Sequence, residues 1–520
     1  MVVTINPTAV SILPFLVFMV PLFFGGLIFA LGRFGKFFRQ GLALIGIFAT
    51  LAISIMMTGR VLGGEVLTWW NNNFYIDGLA TLMELAASGL GAIVVVYSIY
   101  YFSEKTEAAE AHPYTSMTSY YGQIMVFLGL MNWTCATNNI IMMYVSLEFT
   151  TLATVFLVTF HWNKQALEAG YKYLLLVTVG VIFALLGSVL LYAAAIPYLP
   201  VSRVLLLTEL GTIATKIPTN IVLLASAFLV VGFGTKAGLV PFHAWLPDAH
   251  AEAPAPVSAL LSGIVIKVGA YALARTISVF APHYGTIPLF IAILCSISMI
   301  VGMMMAMIQD DLKRMLAYSS VAQIAYVIEG LGMGTYLGIY GGLMHLLNHS
   351  IVKGLLFLAV GALIYATGKR KVSELSKIKL NMPITAFAFF VGIFALSGMP
   401  PFNGFVSKFT LFLAVGQANL LWAAIIGIIT SLFTLVCFFR AGYKIFWSPK
   451  EVSAYVPGHT SADKHAVGAE ATTATEVPAG MWVGMVILAV AAIVLGVFPQ
   501  IVHPLLDSAT KCILRILIGG

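Results

Sequence analysis

The chain has 520 residues, 60% of them hydrophobic and 9% charged, where a soluble globular domain carries about 25% charged residues. That composition excludes a soluble enzyme, and apolar runs that are continuous rather than alternating exclude a transmembrane β-barrel. The formal net charge of +7 fits basic cytoplasmic loops of a membrane protein better than a nucleic-acid-binding surface.

The first apolar run has no basic stretch ahead of it and no clear cleavage site, so it is expected to be a retained helix. Spans are expected near 9–31, 40–59, 78–102, 117–136, 138–160, 169–195, 219–246, 254–279, 286–308, 315–333, 335–366, 383–414, 419–447 and 480–499, about fourteen in all. No long polar linker divides them, so residues 1–520 read as one all-α polytopic membrane domain. Its parts are N-terminal helices 1–3 over 1–116, helices 4–8 over 117–279, helices 9–13 over 286–447, a flexible cytoplasmic loop over 448–479, and helix 14 with a short, weakly amphipathic tail over 480–520.

Basic residues crowd alternate loops: Arg33, Lys36 and Arg39; Lys105; Lys164; Lys313 and Arg314; Lys369, Arg370, Lys371, Lys377 and Lys379; then Lys450. The opposite set holds Arg60, Arg203 and Lys216, with Lys511 and Arg515 at the end. The positive-inside rule therefore predicts both termini outside the cytoplasm. Cys135, Cys295, Cys437 and Cys512 stand far apart with no CxxC or Cys/His pairing. That argues against an iron–sulfur or zinc site, and no metal site is expected in this chain.

Ionisable residues inside the spans are the functional candidates, because a lysine near a bilayer centre costs roughly 2.5–3.5 kcal/mol on insertion scales. Lys236 and Lys267 lie in apolar segments, separated by a tract with Gly234, Gly238, Pro241, Pro247, Pro254 and Pro256 that predicts a broken seventh helix. A lysine can snorkel from a helix end, but LLSGIVI before Lys267 and VGAYALA after it argue against that. Glu148 is the sole acid of the fifth helix and needs a cation, for which Lys236 is the candidate. His345, His349 and Lys353 are spaced four apart and share one helical face, the pattern of a proton relay. Lys408 follows Gly398, Pro400, Pro401 and Gly404, which would break the twelfth helix. Two broken helices, each with a lysine just beyond the break, suggest an inverted repeat. His243, Glu84 and Glu329 are further candidates within or near spans, Glu84 lying beyond Asp77 on the third helix.

At these residues the chain resembles the antiporter-like subunits of respiratory complex I, of membrane-bound group 4 hydrogenases, and of Mrp-type cation/proton antiporters. The stretches that carry the resemblance are GTKAGLVPFHAWLPDAHAEAPAPVSALLSG, IVIKVGAYALAR, DDLKRMLAYSSVAQIAY, MHLLNHSIVKGLLFL and GMPPFNGFVSKF. It implies fourteen core helices, two inverted five-helix repeats over helices 4–8 and 9–13, and breaks in helices 7 and 12. It also implies that Glu148 and Lys236 form a coupled pair, that Lys267 is the central lysine, and that His345 and His349 link it to an exit-side Lys408. Redox cofactors would reside in partner subunits. The tail after Pro499 looks too short for the lateral helix of the distal complex I subunit, and PFHAWLPDAH with Lys408 leans towards the hydrogenase-like branch.

The buried ionisable residues point to an ion path, and the resemblance implies that it carries protons within a redox-driven multi-subunit complex, expected in a prokaryotic inner membrane. The partners would be further antiporter-like subunits and a peripheral redox arm. The alternative is the large subunit of an Mrp-type antiporter exchanging Na⁺ or another cation for protons. A non-pumping scaffold would have little physical reason to keep at least three intramembrane lysines.

Overall fold

The computed structural model describes residues 8–102, 116–280, 283, 285–447 and 474–518. Most of the expected 448–479 loop lies outside these residues, as do Lys105 and Lys450. At one end of the N-terminal helices, β1 (Thr8–Val10) runs parallel to β2 (Val66–Trp69), which pairs antiparallel with β3 (Phe74–Ile76). β1 leads into α1 (Leu13–Leu31) and β2 follows α2 (Lys36–Leu62), so the strand pairing gathers the far ends of these two helices on one side.

The next helices start on side chains that accept from their own first turn: α3 (Gly78–Tyr101) on Asp77, α4 (Met117–Ala136) on Ser116, α5 (Ile140–Val158) on Asn139 and α6 (Lys164–Ala195) on Asn163. Such caps satisfy N–H groups that the helix itself leaves without partners, which matters most where little water reaches. A short α7 (Leu207–Thr212) precedes α8 (Thr219–Ala237) and α9 (Trp245–Glu252). Then α10 (Ala255–Leu260) runs through a π-helical turn, Leu261–Val265, into α11 (Ile266–Phe280).

The second half holds α12 (Ile287–Met307), α13 (Leu312–Gly332), α14 (Tyr336–Thr367), a short α15 (Val372–Leu375), α16 (Pro383–Ser397), α17 (Asn403–Gln417) and α18 (Leu421–Phe446). β4 (Leu380–Asn381) pairs parallel with β5 (Ala474–Thr475) ahead of α19 (Ala479–Val497) and α20 (His503–Ile518).

Eleven of the described helical stretches are long and apolar enough to cross a membrane, and Pro383–Ser397 is a shorter apolar helix. Their outer faces are apolar too. Leu175, Val179, Ile182 and Leu186 form an exposed stripe on α6, and Leu421, Ile425, Ile428, Leu432 and Val436 form one on α18. Apolar faces on both sides are the mark of a helix with lipid outside and protein inside. The chain is an integral membrane protein.

Both expected breaks are present, and they share one backbone form. Gly238 (φ 84, ψ 33) ends α8 and Gly398 (φ 80, ψ 37) ends α16. In each case the glycine N–H reaches the carbonyl three residues back and the next N–H the carbonyl five back: Gly238 to Thr235 and Leu239 to Gly234, Gly398 to Ala395 and Met399 to Phe394. This is a Schellman close, and its left-handed residue is where glycine carries no Cβ penalty. One expectation needs correcting. Lys236 is not beyond its break but two residues ahead of Gly238, in the last turn of α8; only Lys408 follows its break. The tail after Pro499 also differs from the expected weak appendage. It folds as α20 and packs on α3, α11 and α14, with Tyr336 donating to Asp507 at 2.7 Å.

The centre of the molecule is α14. It packs against α3, α10, α13, α16, α17, α19 and α20, and it is buried at almost every position from Gly338 to Leu363.

Candidate functional site

The lysines singled out in the sequence are all inside the protein. Lys236, Lys267 and Lys353 are 0% exposed, Lys408 is 2% exposed, and His345 and His349 are 3% and 1% exposed. Every residue from 255 to 277 is buried, so Lys267 has no helix end from which to snorkel.

At the first break, the Lys236 ammonium donates to Thr151 Oγ1 at 2.8 Å and Tyr173 OH at 3.1 Å, and lies 5.6 Å from the Tyr173 ring centre. Thr151 is one turn beyond Glu148 on α5. Glu148 itself accepts from Thr178 Oγ1 at 3.2 Å through Oε2, while Oε1 has no hydrogen-bond partner among the described residues. Among the described residues no ion pair joins Glu148 to Lys236, although each lies within electrostatic reach of the other. Glu148 and Lys236 thus lie within electrostatic reach of each other, with Glu148 bonded to Thr178 and Lys236 to Thr151.

α11 reaches Lys236 because residue 269 is glycine. A Cβ there would meet Ala237 N at 2.6 Å and Phe233 O at 2.8 Å, so the helix carrying Lys267 rests directly on the backbone that carries Lys236. Lys267 donates to the carbonyl of Ser262. That carbonyl lies in the π turn, where the looser winding loosens the usual backbone ladder and leaves room for a side-chain donor. The Ser262 hydroxyl faces Ser320 Oγ on α13 at 2.8 Å, and Ser320 donates to Leu316 O at 2.9 Å. Leu316 O also accepts from Lys353 at 2.7 Å, and Lys353 donates further to Ser319 Oγ. A continuous run of polar atoms thus joins Lys267 on α11 to Lys353 on α14.

On α14 the face predicted from four-residue spacing is real. His345 and His349 stack with ring centres 6.1 Å apart and planes 14° apart, and Lys353 follows one turn later. His345 is within hydrogen-bond distance of Ser407 Oγ at 3.0 Å and Gln323 Oε1 at 3.2 Å, whereas neither nitrogen of His349 has a hydrogen-bond partner among the described residues. Ser407 adjoins Lys408, which donates to Leu396 O at 2.9 Å and Ser431 Oγ at 2.8 Å and sits 4.8 Å from the Tyr326 ring centre. Lys408 also crosses the second break, since a Cβ on Gly398 would meet its Cδ at 2.9 Å. A cavity of about 310 Å³ opens there, lined by Lys408, Ser431, Gly398, Phe405, Phe409 and Leu432 among others.

The other candidates fall elsewhere. His243 lies in the turn between α8 and α9, partly exposed, with Tyr318 beside its ring. Glu329 is 1% exposed on α13, and its Oε1 has no hydrogen-bond partner among the described residues. Glu84 is 0% exposed on α3, with both carboxyl oxygens lacking a hydrogen-bond partner among the described residues.

Sequence reasoning missed His250, which is 0% exposed, stacks on Phe357 with ring centres 4.8 Å apart, and has no hydrogen-bond partner on either nitrogen among the described residues. It lies within electrostatic reach of Lys267, Lys313 and Lys353. Its place in a proline-bounded tract between two buried lysines was the available signal. Lys313, expected as a loop cation, is 4% exposed and donates to the carbonyls of Ala251 and Ala253 at the end of α9. Arg275 and Asp77 were also missed as partners. They form a buried two-point ion pair 198 residues apart in sequence, at 2.5 and 2.6 Å.

Residues 137–434 match the family described as NADH:quinone oxidoreductase/Mrp antiporter, TM. The chain is 32% identical over 505 residues to NADH-quinone oxidoreductase subunit N of Desulforudis audaxviator, covering 94% of this chain and 96% of that protein. It is 32% identical over 368 residues to the hydrogenase-4 component F homolog of Methylacidiphilum infernorum, covering 70% of this chain and 77% of that one. Its fold is similar to a chain of the Mrp complex from Dietzia sp. DQ12-45-1b, with a TM-score of 0.82, 23% identity and 97% of both chains covered.

Proposed function

The chain belongs to the NADH:quinone oxidoreductase/Mrp antiporter membrane family, and from that premise we propose that its buried lysines and histidines carry protons as one module of a redox-driven complex. It is an antiporter-like subunit of the kind that complex I, group 4 hydrogenases and Mrp antiporters contain. One observation carries the proposal: four lysines and two histidines, each 3% exposed or less, lie along α8, α11, α14 and α17. Burying so many cations is expensive unless each is used, and a scaffold that only anchored partners would have no use for them.

The elementary switch is the Glu148–Lys236 pair. At about 4 Å and an effective dielectric near 20, closing it would favour the charged lysine by roughly 4 kcal/mol. The arrangement with Glu148 on Thr178 and Lys236 on Thr151 is the open state of this switch. Opening releases a proton towards Lys267. The hydroxyls of Ser262 and Ser320 form the middle of the route to Lys353, and water bridges each end of it, because a hydroxyl both donates and accepts while the Ser262 and Leu316 carbonyls that the lysines contact only accept. His349, His345 and Ser407 then lead to Lys408 at the second break. Two inverted repeats over helices 4–8 and 9–13, within about fourteen helices, agree with the shared form of the Gly238 and Gly398 breaks. Redox centres belong to partner subunits in this scheme, and both termini face away from the cytoplasm of a prokaryotic cell membrane.

Exchange of Na⁺ or another cation for protons is the second reading, kept because the same fold occurs in an Mrp complex. Purification in mild detergent, with proton uptake measured in reconstituted vesicles, separates the two. A flavin- or nickel-containing arm with redox-driven uptake supports the proposal. Companions that are all small hydrophobic subunits, with Na⁺-dependent proton movement, would replace it by exchange.

A further inference from the structure

Three elements meet where α3 begins. Asp77, 1% exposed, caps α3 by accepting from the Leu79 and Ala80 N–H groups at 3.0 Å each. The same carboxylate receives both amino groups of Arg275, Nη1 on Oδ2 at 2.5 Å and Nη2 on Oδ1 at 2.6 Å. Arg275 Nε donates to Tyr271 OH at 2.8 Å, and Tyr271 donates to the Cys135 carbonyl at 2.5 Å. Lys267, Tyr271 and Arg275 are spaced four apart on α11, so one face of that helix runs from the central lysine to this cluster.

Seven residues beyond Asp77, two turns along the same face of α3, stands Glu84. It is 0% exposed and neither carboxyl oxygen has a hydrogen-bond partner among the described residues. Among the described residues, the charged and titratable groups within its electrostatic reach are Arg275 from α11, Cys135 from α4 and Asp77 on its own helix.

We propose that Glu84 and Asp77 are two stations of a proton-transfer site switched by Arg275, connecting Lys267 to the side of the membrane on which α3 begins. A guanidinium offers its planar two-donor fork to one carboxylate at a time. One buried cation and two carboxyl groups are neutral together only when one carboxyl carries a proton. With the fork on Asp77, as here, that proton belongs to Glu84. When Arg275 breaks its two bonds to Asp77 and makes two to Glu84, the Glu84 O–H bond breaks and the proton passes through water to an Asp77 oxygen, forming an O–H bond there. Charge is conserved, and the proton has moved to the end of the helix. The Cα atoms lie about 10 Å apart along the axis at 1.5 Å per residue, and the Glu84 side chain leans back towards Asp77, as helical side chains do.

The inference rests on the proton-carrying function for its part in turnover, but infrared spectroscopy of the purified complex reads the carboxyl itself. The wild type should show a protonated-carboxyl C=O band that Glu84→Gln lacks. Asp77→Asn should lose the same band although Glu84 is intact, because the Arg275 fork then turns to the Glu84 carboxylate and the proton leaves it. Asparagine still caps α3, and translocation should fall at least tenfold in both variants with assembly kept. If Asp77→Asn does not assemble, Glu84→Asp decides, and its band should shift. A band unchanged in Glu84→Gln, retained in Asp77→Asn or unshifted in Glu84→Asp would overturn the switch, as would wild-type translocation in Glu84→Gln. Failure of proton carriage as a whole would appear instead as unaltered translocation in the lysine variants, with the Glu84 band still present.

Discussion

The hydroxyls of Ser262 and Ser320 meet at 2.8 Å between two buried lysines, one on α11 and one on α14. Among the described contacts they supply the hydroxyl step between Lys267 and Lys353. Ser320→Ala should therefore lower proton translocation several-fold while costing only about 1 kcal/mol of stability, the usual loss for one hydrogen bond. Adding Ser262→Ala should make translocation little worse, because the two act as one step. The comparison needs proton uptake and thermal unfolding on the same preparations. Additive losses in translocation would show that the serines serve separate purposes.

Glu148→Gln keeps volume and an acceptor for the Thr178 hydroxyl, which lies 3.2 Å from Oε2, but removes the charge. Assembly and melting temperature should stay near wild type, while translocation per turnover falls by an order of magnitude or more. Normal translocation at normal redox turnover would remove Glu148 from the switch.

How much of this was legible in the sequence depended on what a membrane makes conspicuous. Lys267 and Lys353 stand out because apolar residues flank them on both sides and a cation there needs a reason. The breaks at Gly238 and Gly398 stand out through their glycines and prolines. Arg275 and Asp77 did not, because both lie near span ends, where charged residues are ordinary. Their pairing is purely tertiary, across 198 residues. Ser262 and Ser320 are common residue types, and the π turn that presents the Ser262 carbonyl to Lys267 has no composition of its own. The order of Lys236 and its break was misread because Gly234 and Gly238 flank the lysine. Only the backbone shows that Gly238 is the left-handed one.

The orientation can be checked at Lys371, which is exposed and lies between α14 and α16. With the basic loops inside, a cysteine at position 371 should resist an impermeant thiol reagent applied to intact cells, and one added at the C-terminus should react. The opposite labelling pattern would invert the topology and, with it, the direction assigned to every step of the path.

The most demanding prediction concerns Lys267. It is 0% exposed, in a helix whose residues from 255 to 277 are all buried, and it rests on a single carbonyl in the π turn. As a proton carrier it must lose its proton once per cycle and regain it. Lysine can do so when buried, whereas arginine in a protein stays charged. Lys267→Arg should then fail almost as badly as Lys267→Ala, with translocation per turnover down at least tenfold in each. A lysine needed only as a fixed cation, to satisfy the Ser262 carbonyl or balance an acid, would be replaced far better by arginine than by alanine. Arginine adds bulk, so complex assembly is checked first, and an arginine variant that assembles gives the decisive comparison. Full translocation in that variant would rule out a proton-shedding lysine at this position. Loss in both variants with assembly intact would put Lys267 on the path, since positive charge alone would have proved insufficient.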